Sequence, residues 1–207
     1  MSAVPKPYLT PQEYLARERR AETKSEYLRG GVFAMSGASR NHNLVATNVA
    51  AELRQQLRDR ECEVYQSDMR VKISSTGLYT YPDVTVVCGE PEFEDEEVDT
   101  LLNPKVIVEV LSPSTADYDR GGKFTHYRRL PSLREYVLIS QDRPLVEHYV
   151  RQGQDEWLLT ENSSLEEILV LPSLQCRLPL SEVYLKVRFP ADEGGARMTN
   201  DEPPNDT

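Results

Sequence analysis

Asp83 and Glu109 each stand as a lone acid against an apolar, β-branched run, the first in Tyr81-Pro82-Asp83-Val84-Thr85-Val86-Val87 and the second in Lys105-Val106-Ile107-Val108-Glu109-Val110-Leu111. A carboxylate desolvated in such company is costly unless a cation or strong donors meet it. Two such acids on adjacent strands would make a divalent-metal site. The competing account has Asp83 cap the turn after Pro82 and Glu109 pair with Lys105 or an arginine. For Asp83 alone the cap is the simpler account, whereas for Glu109 inside the run IVEVL the metal is.

Other chemistries find little support. Ser112-Pro113-Ser114-Thr115 follows the glutamate run, but no GxSxG elbow exists, and His126 and His148 have no nucleophile partner, so the hydroxyls read as caps for a helix beginning near Ala116. Gly121-Gly122-Lys123 lacks the spacing of a phosphate-binding loop. Cys62, Cys88 and Cys176 form no CxxC pair and read as small core residues of a reduced compartment, with neither a zinc site nor a disulfide.

The elements that must carry the two acids follow from pattern. Thr10-Pro11-Gln12-Glu13 has capping-box spacing with proline at the first helical position, which predicts a helix to about Arg20. The pair Gly30-Gly31 between short apolar runs predicts a hairpin over 26–35. Val45, Val49, Leu53 and Leu57 recur every fourth residue and predict a helix over 41–58. Strands are expected over 64–73, 81–87, 106–111, 135–140 and 145–150, the last two an antiparallel pair, with a helix over 116–130 despite its two glycines. Later apolar segments near Trp157 and over 165–171 should cover one side of the sheet. The fold class expected is α/β (α+β), a mixed sheet flanked by helices.

With 207 residues, 39% of them hydrophobic, the chain suits a single domain, expected over 1–190, followed by a disordered acidic tail over 191–207. The net charge is −10, yet Glu90 to Asp99 carries seven acids and no base, and the tail carries five acids against Arg197. The remainder is therefore close to neutral and neither requires nor forbids a polyanionic partner. Arg17, Arg19, Arg20, Lys24, Arg40, Arg70, Lys72, Arg120, Lys123, Arg128 and Arg129 can build a phosphate-binding face only by converging in space. Without an apolar leader or a membrane-length apolar run, a cytoplasmic location is expected.

The ordered succession TPQEYL, SEYLRGG, AMSGASRNH, SDMRV, YPDVTVV, VIVEVLSPST, DRGGK and PSLREYVLI, with Tyr127 between the last two, resembles the bacterial Uma2 family of the PD-(D/E)XK restriction-endonuclease-like superfamily over most of residues 8–187. The resemblance implies a restriction-endonuclease-like fold and a metal-dependent endonuclease acting on phosphodiester bonds, with DNA as the expected substrate and a homodimer as the expected assembly. Asp83 and Glu109 would hold Mg²⁺, or Mn²⁺, with the backbone carbonyl of Val110 as a further oxygen ligand. The superfamily's lysine two residues after the glutamate is here Leu111, and Lys123 from the following helix takes its place as third catalytic residue. Its alternative role is an exposed partner of Asp119 at i,i+4. Secondary candidates are Glu26 for a second metal or for water, His42 beneath the sheet, Tyr127 one turn after Lys123, and last Asp68. Two other readings stand beside cleavage: a non-cleaving nucleic-acid-binding or regulatory module, and hydrolysis of a small phosphorylated compound.

Overall fold

In the computed structural model, which describes residues 8–190, the predicted capping box is present: the Glu13 N–H donates to Thr10 Oγ1 and the Glu13 carboxylate accepts from the Thr10 N–H at 2.8 Å. The helix it starts, α1 (Pro11–Glu18), ends at Arg19, whose N–H still reaches the Leu15 carbonyl while its side chain bonds to Asp95 and Asp99. The expected tail over 191–207 lies outside the described residues.

β1 (Ser25–Leu28) and β2 (Gly31–Ala34) form the hairpin, turning on Arg29 and Gly30, both with positive φ (46° and 91°), the backbone that a two-residue hairpin turn demands. Then come α2 (Arg40–Gln56), β3 (Cys62–Gln66), β4 (Arg70–Ile73), β5 (Leu78–Thr80), β6 (Val84–Cys88), β7 (Thr100–Leu101) and β8 (Val106–Leu111). The expected strand 64–73 is split in two and the one over 81–87 starts only at Val84, and the reasons are local. Ser67, Asp68 and Met69 turn the chain between β3 and β4, and Pro82, which has no N–H for a ladder, separates β5 from β6. In both cases the chain passes from one sheet to another.

The segment after β8 is helical but irregular: α3 (Ala116–Tyr118), a π turn (Asp119–Lys123) and α4 (Phe124–Tyr127) run on without a break. No side chain caps α3; the hydroxyls of Ser112, Ser114 and Thr115 bond to one another instead. β9 (Glu135–Ser140), β10 (Val146–Arg151), β11 (Trp157–Asn162), β12 (Ile168–Leu171), β13 (Cys176–Pro179) and α5 (Leu180–Val183) complete the chain.

A six-stranded sheet, ordered β11-β10-β9-β8-β6-β3, is antiparallel except for the β8–β9 pair; a five-stranded sheet is ordered β2-β1-β5-β4-β7, and β12 with β13 forms a separate ribbon. One face of the large sheet (Val84, Val86, Val106, Val108, Val137, Ile139) packs on α2 and the ribbon. The opposite face (Val87, Ile107, Tyr136, Leu138) packs on Tyr127, Leu130 and Leu133 and on Val71, Ile73 and Leu78 of the smaller sheet. Every residue of β8 is buried, and burial on both faces is what turns its sequence into a near-continuous apolar run.

The cysteine reading needs correction. Cys62 and Cys88 stand directly opposite each other in the β3–β6 ladder, Cα to Cα 4.0 Å, and form a disulfide; Cys176 alone is free and buried. A separation of 26 residues carried no motif, and the pairing exists because register brings the two positions face to face. Among the described residues, no helix is long and apolar enough to cross a membrane.

Candidate functional site

Register brings the two acids together. Val84 pairs with Val108 and Thr85 with Ile107, so Asp83, one residue before β6, comes opposite Glu109 on the same face of the sheet. That face is the one beneath the segment carrying Lys123. Asp83 is fixed by the Val110 N–H, which donates to its Oδ2 at 2.7 Å, and His42 Nε2 lies 3.2 Å from the same oxygen. In an extended strand the N–H and C=O of one residue point to the same side, and the β6 ladder ends at Val84. The Val110 carbonyl therefore aims beyond the end of β6, toward Asp83.

Glu109, 3% exposed, accepts through Oε1 from Tyr127 OH at 2.7 Å and from Lys123 Nζ at 3.1 Å. Lys123 Nζ also lies 3.3 Å from Asp119 and 3.4 Å from Glu26, and Glu26 accepts from the Thr80 hydroxyl. These groups line one cleft of about 860 Å³ that opens between the start of α2, the β1–β2 hairpin and the π turn. Asp68 sits at its outer edge, almost fully exposed, paired with Lys24 at 2.9 Å. The candidates Glu26, His42, Asp83, Glu109, Val110 and Lys123 thus share one cleft, Tyr127 reaches Glu109 from within the core, and Asp68 stays apart as a surface partner.

Aromatic packing on the C-terminal side of Lys123 fixes its place. Phe124 stacks on Tyr136 with ring centroids 5.4 Å apart and meets Tyr149 at 4.5 Å, and Tyr127 packs edge-on against Tyr136. The Tyr136 hydroxyl donates to the Asp119 carbonyl at 3.0 Å, pinning the π turn. A side chain at Gly122 would collide with the Tyr118 ring, which lies across that turn at the mouth of the cleft.

Electrostatically the cleft holds more acid than base. Glu26, Asp83, Glu109 and Asp119 face Lys123, with His42 at one side. Burial pushes the Glu109 carboxyl up to about 8, with Asp119 and Asp83 acting in the same direction against Lys123. Burial also opposes the charge on Lys123, but Glu109, Glu26 and Asp119 outweigh it and hold the ammonium well above the usual lysine range. Asp119 Oδ1 and His42 Nδ1 are buried without a hydrogen bond.

This donor set suits a hard divalent cation. Two carboxylates and a carbonyl beside open space match Mg²⁺, which takes few protein oxygens and keeps several waters. Among the described residues no three His, Cys, Asp or Glu side chains gather closely enough to hold a metal ion by themselves, so a site here would lean on backbone oxygen and water. Asp119 is the carboxylate whose place in the cleft the sequence did not reveal: spacing from Lys123 marked it as a helix partner, which it is, but only the π turn carries the pair inward.

Tyr127→Phe tests the hydroxyl on Glu109. If it holds that carboxylate for a metal, Mn²⁺ affinity by titration calorimetry should weaken by roughly 10–100-fold, as loss of a partner that orients a ligand does. Unchanged affinity would leave Tyr127 a packing residue.

The family pattern described as "Putative restriction endonuclease", Uma2, matches residues 11–181. An uncharacterized protein of Synechocystis sp., sll1609, is 45% identical over 153 residues, 74% of this chain and 86% of its own. A second from that organism, slr1290, is 35% identical over 187 residues, 90% of this chain and 97% of its own. A crystal structure of an Anabaena variabilis protein, described as a putative nuclease belonging to DUF820, superposes with a TM-score of 0.68 at 17% identity, over 85% of this chain and 97% of that one. At that identity the likeness is one of fold.

Proposed function

Since this chain belongs to the Uma2 family, described as "Putative restriction endonuclease", we propose that it is a divalent-metal-dependent endonuclease that hydrolyses phosphodiester bonds, with DNA as the first substrate to test. The observation that carries the reading is the excess of carboxylate in one open cleft, with Asp83 and Glu109 side by side on its floor. Mg²⁺ or Mn²⁺ held by Asp83, Glu109 and the Val110 carbonyl would supply Lewis-acid polarisation and charge neutralisation at the phosphoryl group.

The chain's own groups divide the remaining work. Val110 N–H and His42 hold Asp83 in orientation, while Tyr127 and Lys123 occupy Glu109 Oε1 and turn its other oxygen to the cleft. Lys123 keeps its proton and presents a fixed positive charge where negative charge develops on the scissile phosphate. Glu26 and Asp119 draw the ammonium toward the acids and away from solvent.

One observation weighs against broad nucleic-acid affinity and so favours a non-cleaving, regulatory module. Several bases that sequence left free to converge are instead neutralised: Arg19 and Arg70 by Asp99, Lys72 by Glu94, Lys24 by Asp68 and Arg120 by Glu147. Incubating the protein with supercoiled plasmid, single-stranded DNA, RNA and bis(p-nitrophenyl) phosphate separates the readings. Nuclease action predicts product with Mg²⁺ or Mn²⁺ and none with EDTA; no product from any substrate under any metal condition would select the module.

A further inference from the structure

Four of the bases that form no ion pair among the described residues gather in one place. Arg40, Arg143, Lys186 and Arg188 come from three distant parts of the sequence, all are exposed, and none forms an ion pair among the described residues. The start of α2 ties them together. Arg40 Nη2 donates to the Lys186 carbonyl at 3.4 Å, and Asn41 Nδ2 donates to the Arg188 carbonyl at 2.8 Å and to the Gln141 carbonyl at 3.3 Å. Arg143 follows Gln141 by two residues in the β9–β10 turn, and Asn48 holds Val183 and Leu185 along α2 at 3.0 Å each.

This cluster forms one lip of the acidic cleft, because Ser39 and Gln141, which hydrogen-bond each other, both line the cleft beside His42. Asp142 is the acid nearest in sequence, and the first turn of the 17-residue α2 contains none, so its positive helix end is uncompensated. The opposite wall carries Glu22, Lys24 and Asp68, where acid matches or exceeds base. A polyanion approaching the cleft therefore meets attraction from one side alone.

We propose that the phosphate backbone of a nucleic-acid strand lies across the lip formed by Arg40, Arg143, Lys186 and Arg188, so that the substrate of this site is a polynucleotide rather than a small phosphodiester. This rests on the phosphodiesterase reading for the cleft but makes a separate claim about binding. A small diester fills the cleft without touching the lip; a strand must continue past it, and the basic lip is the exit that charge favours.

The test is fluorescence anisotropy with labelled single-stranded and duplex oligonucleotides, in EDTA and in Ca²⁺, over a series of salt concentrations. Arg143→Glu with Arg188→Glu should weaken binding by about tenfold or more, and it should make the log-affinity against log-salt slope shallower by roughly 1.8 for duplex, at ~0.9 per phosphate contact. Arg54→Glu with Arg58→Glu, an equal charge change on exposed residues at the opposite end of α2 from Arg40, should stay within about twofold of wild type, and thermal melts confirm folding. Should the reversals unfold the chain, Arg143→Gln with Arg188→Gln gives the same comparison. Equal weakening by both double variants, no weakening by the lip variant, or no binding of either oligonucleotide by wild type would overturn the proposal. Wild-type hydrolysis of the same oligonucleotides with Mn²⁺ reports separately on the cleft. Lip-dependent binding without that hydrolysis retains the lip and discards the nuclease reading.

Discussion

Glu109→Gln is expected to lower Mg²⁺- or Mn²⁺-dependent cleavage by roughly three orders of magnitude, because several kcal/mol of charge stabilisation pass through that ligand and each ~1.4 kcal/mol is tenfold in rate. The substitution keeps shape and removes charge. In the fold it should be tolerated: Tyr127 and Lys123 can still donate to the amide oxygen, and a cleft with four carboxylates around one lysine loses an acid it has difficulty keeping ionised. In EDTA the variant should melt at or above the wild-type temperature. A purely structural Glu109 predicts the reverse pair of results, a lower melting temperature and unchanged cleavage. Inactivity together with a large loss of stability would be uninformative about ligation, so Mn²⁺ affinity by calorimetry is measured on the same preparation and should fall sharply.

Lys123→Met should lower single-turnover cleavage by roughly two or more orders of magnitude, the effect of losing one preorganised electrostatic donor. Its stability effect separates it from an ordinary helix lysine. An exposed partner of Asp119 would cost less than about 1 kcal/mol on removal. Lys123 is instead 7% exposed and meets three carboxylates, so its loss leaves buried charge uncompensated, a change that costs about 3–5 kcal/mol where a buried pair is broken. The expected result is a metal-free variant with a clearly lowered denaturation midpoint, part of which Mg²⁺ restores by supplying the missing positive charge. Lys123→Arg should recover stability better than rate, since the guanidinium keeps charge but not the compact geometry. A midpoint insensitive to both metal and substitution would place the ammonium outside the acidic cluster.

Glu109 was legible because its oddity is local: a single acid in a buried strand is improbable without a partner, and the partners are there. Asp83 was half legible, since the cap account of it holds in part. It follows Pro82 at the junction between sheets, and it accepts a backbone N–H as a cap would, but that N–H belongs to Val110 on the neighbouring strand. The helix over α2, the capping box of α1 and the β8, β9 and β10 strands follow from periodicity and capping rules, which act over a few residues. What sequence did not show depends on register and crossing. The 64–73 run looks like one strand although the chain changes sheet within it, and the 81–87 run includes the crossing at Pro82 that delays β6 to Val84. The Cys62–Cys88 pairing and the convergence of Arg40, Arg143, Lys186 and Arg188 are set by ladder alignment and by the strapping of the 183–188 segment onto α2, and neither leaves a spacing to read.

The π turn bears on what such a site requires of its sequence. A π turn amounts to one extra residue wound into a helix, and it rotates everything downstream by about 100°, one residue's share of an α-helical turn. Here that rotation lets Asp119, Lys123 and Tyr127 all reach the acid cluster from one side, with Lys123 and Tyr127 sharing a single oxygen of Glu109. Deleting Gly121 would rewind the segment and swing Lys123 off the cleft without altering any residue that touches Glu109. Length, more than identity, is thus what the placement of Lys123 requires of the Asp119–Lys123 turn.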